Sequence, residues 1–227
     1  IKAAEAGKVK IEMLLSESVK RKKLSEEEKI RLLKKVKTDA SLENISGSDL
    51  VIEAVFEDLN LKHNLYKKIE PHLKEGAILA SNTSTLPITK LSEVLADSTR
   101  FLGIHFFSPV DKMNLVELIK SERTNDNALA VALDYTSLIK KTPIVVNDSR
   151  GFYANRCIIP YINEGLRMLS EGIEPALIEN SAKQIGMPVG PLQLLDELSV
   201  SLALNVAKET KEALGPKYEE TGTESML

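Results

Sequence analysis

GIHFFSPVDKMNLVELI, residues 103–119, contains two apolar runs joined by a short connection. The first run completes a segment, residues 101–106, whose composition is typical of a strand buried in a sheet. The second run, residues 114–119, is also expected to be extended. A hairpin-like return would place it near the first, so the segment predicts a strand with an extended neighbour.

Outward from this segment, apolar runs of strand type alternate with helical patterns. Strands are predicted at residues 50–56, 77–81 and 143–147, and helices at residues 3–24, 25–36, 59–74, 88–95 and 127–140. Ser25 and Glu28 have the spacing of a capping box at the start of the second helix. This alternation predicts an α/β fold with a parallel sheet and right-handed crossovers.

The pattern changes after Asn147. Only apolar stripes at helical spacing follow, over residues 152–169, 178–185 and 192–204. The polar segment NDSRG, residues 147–151, is interpreted as the junction. We therefore expect two domains, an α/β domain over residues 1–147 and a smaller all-helical domain over residues 148–227.

Composition narrows the possible partners. Lys plus Arg number 30 and Asp plus Glu 33 in 227 residues, so no basic excess favours nucleic acid or an anionic membrane. The longest apolar runs, LVIEAVF and CIIPYI, fall far short of the about 20 residues of a membrane-spanning helix. The single Cys157 excludes a disulfide framework and indicates a reducing compartment, either the cytoplasm or an organelle matrix, and the cytoplasm is the location we expect. His63 and His72 have no partners in sequence that would suggest a metal site.

His105 stands at the carboxyl end of its predicted strand, where ligands of open α/β sheets bind. Glu117 follows 12 residues later, so the hairpin-like return could bring its carboxylate to the imidazole. A carboxylate that holds one ring nitrogen makes the other a competent general base. Two structural alternatives stay open at this point: a core histidine beside two phenylalanines, and a solvated glutamate on a strand.

Four segments in order resemble one family. These segments are similar to segments of the NAD-dependent L-3-hydroxyacyl-CoA dehydrogenases. They are DLVIEAVFEDLNLK at residues 49–62, SNTSTLPIT at residues 81–89, HFFSPV with LVELI, and GFYANR at residues 151–156. The resemblance covers almost the whole chain. It implies a Rossmann-type, doubly wound NAD-binding domain followed by a helical dehydrogenase domain.

The resemblance also implies catalytic roles. His105 would take the proton from the substrate 3-hydroxyl while hydride leaves the same carbon, and Glu117 would orient it. Ser84 and Asn155 would donate hydrogen bonds to the substrate oxygen or to the nicotinamide end of the complex, where negative charge develops. As alternatives, Ser84 could cap a loop and Asn155 could face water from a helix.

Further binding residues follow from the same resemblance. Glu57 and Lys62, with Ser84, would contact the ribose or nicotinamide side of NAD, and Lys20 would meet the phosphates of the acyl-CoA substrate. The alternatives are charged side chains at a solvated turn for Glu57 and Lys62, and a solvated helix face for Lys20.

One family feature is absent from the sequence. The glycines that precede the junction motif, Gly7, Gly47, Gly76 and Gly103, are too far apart to form G-x-G-x-x-G. We therefore expect an incomplete Rossmann-type sheet without its first strand and glycine-rich turn, in a chain truncated at both ends. We also expect weak NAD affinity, and poor stability unless another segment covers the exposed sheet edge. The resemblance implies a homodimer for the full-length protein.

The leading hypothesis is an oxidoreductase that converts (3S)-3-hydroxyacyl-CoA to 3-oxoacyl-CoA with NAD, in fatty-acid β-oxidation or a butyrate-type pathway. The alternatives are a non-catalytic CoA-binding or structural relative, and an inactive fragment of a multifunctional β-oxidation enzyme.

Overall fold

A computed structural model describes residues 1–198, 211 and 215–217. Its contacts divide the chain into two units. The sheet unit comprises residues 1–83 and 88–143, and the helical unit comprises residues 84–87 and 144–227. The last part of the predicted stripe over residues 192–204 lies outside the described residues.

Five strands form one sheet in the order β1-β2-β3-β4-β5. They are β1 Leu50–Glu53, β2 Ile78–Ser81, β3 Phe101–Phe106, β4 Leu115–Lys120 and β5 Thr142–Asn147. The pairs β1–β2 and β2–β3 are parallel, whereas β3–β4 is antiparallel. The α/β prediction is confirmed, but the sheet is mixed, because the connection after β3 is too short for the crossover that a parallel neighbour needs.

Helices precede, separate and follow the strands. In the sheet unit they are α1 Lys2–Lys20, α2 Glu26–Leu33, α3 Leu59–Ile69, α4 Ile88–Ser92 and α5 Asp126–Leu138. In the helical unit they are α6 Ala154–Ser170, α7 Pro175–Gln184 and α8 Pro191–Leu198. The capping box at the start of α2 is present, with Ser25 Oγ accepting from Glu28 N–H and Glu28 Oε2 accepting from Ser25 N–H.

Several predicted elements are shorter than expected, and the ends of two of them have a visible cause. The strand predicted at residues 50–56 ends at Glu53, because the Glu53 carboxylate accepts the Val55 N–H and turns the chain. The helix predicted at residues 59–74 ends as α-helix at Ile69 and continues only as a 3-10 turn, Glu70–His72, around Pro71. Proline has no N–H to continue the α-helical pattern.

One hydrophobic cluster of the sheet unit lies between the strands and α5, which contributes Ala128 and Ala132. Its buried strand residues alternate along the strands: Ile78, Ala80, Leu102, Ile104, Val116 and Leu118. Since successive side chains of a strand point to opposite faces, His105 shares the other face with Phe101 and Gly103. The apolar alternation of β3 therefore determines the face on which the histidine lies.

In the helical unit, α6 packs against α8 at a glycine. A Cβ added to Gly165 would lie 2.5 Å from Cγ of Pro191, the first residue of α8. The α8 N-terminus is capped from α7, since the Glu179 carboxylate accepts the N–H groups of Leu192 and Gln193 at 2.9 and 3.2 Å. The close approach of α6 and α8 is possible because glycine at position 165 has no side chain.

We predict opposite effects of Gly→Ala substitutions in two helices. Gly165→Ala should lower the free energy of unfolding by about 1–3 kcal/mol, because the methyl group meets a rigid proline ring. Gly7→Ala, on an exposed helix with no atom within 4 Å of the added Cβ, should raise it by up to about 1 kcal/mol through helix propensity. Thermal unfolding followed by circular dichroism measures both. Equal effects of the two substitutions would contradict the packing argument.

Candidate active site

His105 and Glu117 lie opposite each other on the antiparallel pair β3–β4. His105 Nδ1 is 2.7 Å from Glu117 Oε2, and the residues are 4% and 0% exposed. An ionised carboxylate only accepts hydrogen bonds, so Nδ1 carries the hydrogen and donates it. In a neutral imidazole with this tautomer, Nε2 has the lone pair that can accept a proton. The arrangement is that of a histidine base held by a buried carboxylate.

Phe107 packs on the imidazole. The ring centroids of His105 and Phe107 are 4.5 Å apart and the rings are tilted by 52°. Contact on one face and a carboxylate on Nδ1 together restrict the rotation of the ring. This restriction favours the orientation in which Nε2 can meet a reacting hydroxyl group.

A second buried carboxylate, Glu53, joins the ends of β1 and β2 to α3. Its Oε1 accepts from Lys62 Nζ at 2.8 Å and from Val55 N–H at 2.7 Å. Its Oε2 accepts from Tyr66 OH at 2.6 Å and from Ser81 Oγ at 2.9 Å. Burial, together with the hydrogen bond to the Glu53 carboxylate, raises the pKa of Tyr66 well above its ordinary value, so its hydroxyl remains a neutral donor.

Lys62 also reaches Glu57. Its Nζ is 3.2 Å from Glu57 Oε2, and Thr83 Oγ1 donates to the other oxygen of the same carboxylate. The side chain of Lys62 is 1% exposed and that of Glu57 30%. The solvated-turn alternative is therefore wrong for Lys62, whose ammonium group lies between two carboxylates. Glu57 is the member of this group that reaches the surface.

Ser84 and Asn155 come together in the helical unit. Asn155 is the second residue of α6, and its Nδ2 donates to the backbone oxygen of Ser84 at 3.1 Å. The amide group of Asn155 thus orients the loop that carries Ser84. Six of the seven predicted site residues therefore form three pairs: His105 with Glu117, Glu57 with Lys62, and Ser84 with Asn155.

Lys20 lies in the last turn of α1. Its side chain is 73% exposed and its Nζ is 2.9 Å from Glu17 Oε1. An exposed pair of this kind contributes little to stability. The proposed contact of Lys20 with CoA phosphates stays a prediction.

Sequence reasoning missed the centre of the carboxylate network. Glu53, Tyr66, Ser81 and Thr83 were not among the predicted site residues, although all four are buried. The available signal was a glutamate inside the apolar run LVIEAVF, because a carboxylate in a buried strand requires several polar partners.

Within residues 1–198, 211 and 215–217, no cluster of three or more His, Cys, Asp or Glu side chains is arranged to hold a metal ion. In the same part of the chain, no helix combines the length and the apolar character that crossing a membrane requires.

Comparison with known proteins gives consistent matches over both units. Residues 1–149 match the family model for the 3-hydroxyacyl-CoA dehydrogenase NAD binding domain, and residues 151–226 match the model for the C-terminal domain. The fatty acid oxidation complex subunit alpha of Shewanella amazonensis is 38% identical over 205 residues, which are 90% of this chain. The chain spans 29% of the length of that relative.

Solved structures are similar over most of the chain. The (S)-3-hydroxybutyryl-CoA dehydrogenase of Ralstonia eutropha superposes with a TM-score of 0.93 at 35% identity, covering 100% of this chain and 81% of that one. The 3-hydroxybutyryl-CoA dehydrogenase of Escherichia coli superposes with a TM-score of 0.89 at 29% identity, covering 94% and 46%.

The two carboxylates that flank Lys62 should differ in their effect on stability. Glu53→Gln should lower the free energy of unfolding by about 3 kcal/mol, because it breaks a fully buried ion pair. Glu57→Gln, the matched control at the partly exposed carboxylate, should cost about 1 kcal/mol or less. Urea denaturation followed by circular dichroism measures both values. Equal losses would show that Glu53 is not the main partner of Lys62.

Proposed function

The chain belongs to the 3-hydroxyacyl-CoA dehydrogenase family, and on that premise we propose that it oxidises (3S)-3-hydroxyacyl-CoA to 3-oxoacyl-CoA with NAD. The process would be fatty-acid β-oxidation or a butyrate-type pathway in reverse. The observation that carries the proposal is the buried hydrogen bond between His105 Nδ1 and Glu117 Oε2 at 2.7 Å. A role limited to binding does not require a base with an orienting carboxylate.

His105 would accept the proton of the 3-hydroxyl group at Nε2. NAD, when bound, supplies the acceptor for the hydride that leaves the same carbon. The substrate then loses one hydride and one proton, and the proton stays on the imidazole until it is released to solvent. Glu117 stabilises the imidazolium that forms, because its carboxylate is buried beside Nδ1. General-base catalysis of this kind contributes about 10²–10⁴ in rate.

Ser84 and Asn155 would donate hydrogen bonds to the substrate oxygen on which negative charge develops. Their mutual hydrogen bond supports a joint role, since it fixes the loop from which Ser84 acts. Preorganised donors near a developing alkoxide stabilise the transition state more than the ground state.

The carboxylate of Glu57 fits the sugar or nicotinamide side of NAD. It accepts hydrogen bonds and carries negative charge, so it suits hydroxyl or amide donors and would repel a phosphate. Lys62 and Thr83 hold this carboxylate in place. The family resemblance implies that Glu57, Lys62 and Ser84 contact the ribose or nicotinamide side of NAD. Since the Lys62 side chain is 1% exposed, it would act there by holding the Glu57 carboxylate.

Several finer assignments belong to the same proposal. The boundary between domains at residues 147 and 148 is supported by family models that end and begin at residues 149 and 151. A cytoplasmic location is supported by the single Cys157. The acyl-CoA substrate, its contact with Lys20 and a homodimer are supported by the family resemblance. The stand-alone and the multifunctional alternatives both stay open, because the chain is similar to an (S)-3-hydroxybutyryl-CoA dehydrogenase and to a fatty acid oxidation complex subunit alpha.

The direct test is turnover by the full protein that its gene encodes. NADH oxidation with acetoacetyl-CoA at neutral pH should be observed by absorbance, and His105→Gln should reduce kcat about 100-fold or more because the general acid–base group is lost. His63→Gln is the matched control, since its imidazole bonds to the backbone oxygen of Lys90 and not to a carboxylate. Turnover of His105→Gln within a few-fold of the parent would contradict the assignment of the base.

Glu117→Gln tests the orienting role separately. The amide can present its NH₂ group to Nδ1 and favour the wrong tautomer, so we expect kcat to fall by about tenfold or more and its pH profile to change. Unchanged rate and pH profile would leave Glu117 as an ordinary strand residue. If the unsubstituted protein is folded and binds CoA but shows no turnover, the result favours the non-catalytic alternative.

A further inference from the structure

Asn82 connects the two strands that carry the proposed cofactor and catalytic groups. It follows β2 directly, and β2 lies between β1 and β3. Its backbone N–H donates to the backbone oxygen of Glu53 at 2.8 Å, and its side-chain Oδ1 accepts the Phe106 N–H at 2.9 Å. Glu53 holds Lys62, and Phe106 is the neighbour of His105. Asn82 therefore lies between the carboxylate network and the histidine base.

The bond to Phe106 determines how the amide of Asn82 is oriented. A backbone N–H can only donate, so the atom that meets it must be the amide oxygen. The NH₂ group then points away from the Phe106 N–H. Nδ2 of Asn82 makes no hydrogen bond to any residue of the part of the chain that the structure describes. Asn82 thus presents two N–H donors.

The position of these donors indicates what they meet. The carboxyl ends of β1, β2 and β3 lie at one edge of the sheet, because these strands are parallel. Ligands of open α/β sheets bind beyond that edge. Since Nδ2 can only donate, its partner there must be an acceptor such as a carbonyl oxygen. Three such oxygens lie near the reacting carbons of the proposed reactants: the carboxamide of nicotinamide, the 3-oxo group of the substrate and its thioester carbonyl.

We propose that Asn82 Nδ2 donates a hydrogen bond to a carbonyl oxygen of the bound reactants, an inference that rests on the proposed dehydrogenase function. Asn82 is then a binding residue in addition to an anchor for the end of β3. The competing explanation is that its only role is to accept the Phe106 N–H.

Two substitutions separate these roles. Asn82→Asp keeps an oxygen for the Phe106 N–H but removes both donors and adds a charge. Asn82→Leu removes the donors and the acceptor without adding a charge. Asn125→Asp is the matched control, because Asn125 Oδ1 likewise accepts a backbone N–H, that of Ala128, while Asn125 N–H bonds to Thr99 before the start of β3.

The measurements use the full encoded protein. NADH and thio-NADH dissociation constants, by fluorescence, report on the carboxamide, because sulfur is a weaker acceptor than oxygen. The kcat and KM for acetoacetyl-CoA report on the carbonyl groups of the substrate. Both Asn82 variants should lose about tenfold, either in NADH affinity or in kcat/KM with NADH affinity unchanged, while the Asn125 variant stays within twofold.

If the partner is the carboxamide, the preference of the parent for NADH over thio-NADH should disappear in Asn82→Asp. A loss confined to Asn82→Leu would show that Asn82 only anchors Phe106, and a loss confined to Asn82→Asp would trace to the added charge. Either result, or no loss in both variants, overturns the proposal. A parent that binds NADH without turnover refutes the proposed function, while the dissociation constants still decide the role of Asn82.

Discussion

The hydrogen bond between His105 Nδ1 and Glu117 Oε2 is the interaction on which the functional account depends. It exists because β4 runs antiparallel to β3 in a register that places the two residues opposite each other. A shift of one residue would move Glu117 to the opposite face of the sheet. The apolar residues of both strands, packed against α5, oppose such a shift. The packing of this cluster therefore keeps His105 and Glu117 opposite each other.

The second buried carboxylate has a different role. Glu53 ends β1, turns the chain through the Val55 N–H and binds three side chains from α3 and β2. Each hydrogen bond from these partners offsets part of the desolvation free energy that burial of the Glu53 carboxylate costs. The same network holds Lys62 beside Glu57, so a structural requirement of the strand end also places a partly exposed carboxylate at the edge where ligands of such sheets bind.

Sequence patterns predicted most of the fold and, in the candidate site, the contact between His105 and Glu117. Apolar runs located the strands, and the twelve-residue spacing of His105 and Glu117 anticipated their contact. The end of β1 at Glu53 and the burial of Lys62 could not be predicted, because both depend on side chains from separate elements. The amide orientation of Asn82 depends likewise on the Phe106 N–H, a contact 24 residues away along the chain.

Nitrogen NMR of the His105 imidazole measures directly whether Glu117 fixes the tautomer of the ring. In the neutral ring we expect a hydrogen on Nδ1, with a downfield proton signal that reports its bond to the Glu117 carboxylate, and an Nε2 that carries none. Glu117→Gln should remove that signal. A neutral imidazole protonated at Nε2 would contradict the account, since Glu117 would then not hold the ring in the form that a general base requires.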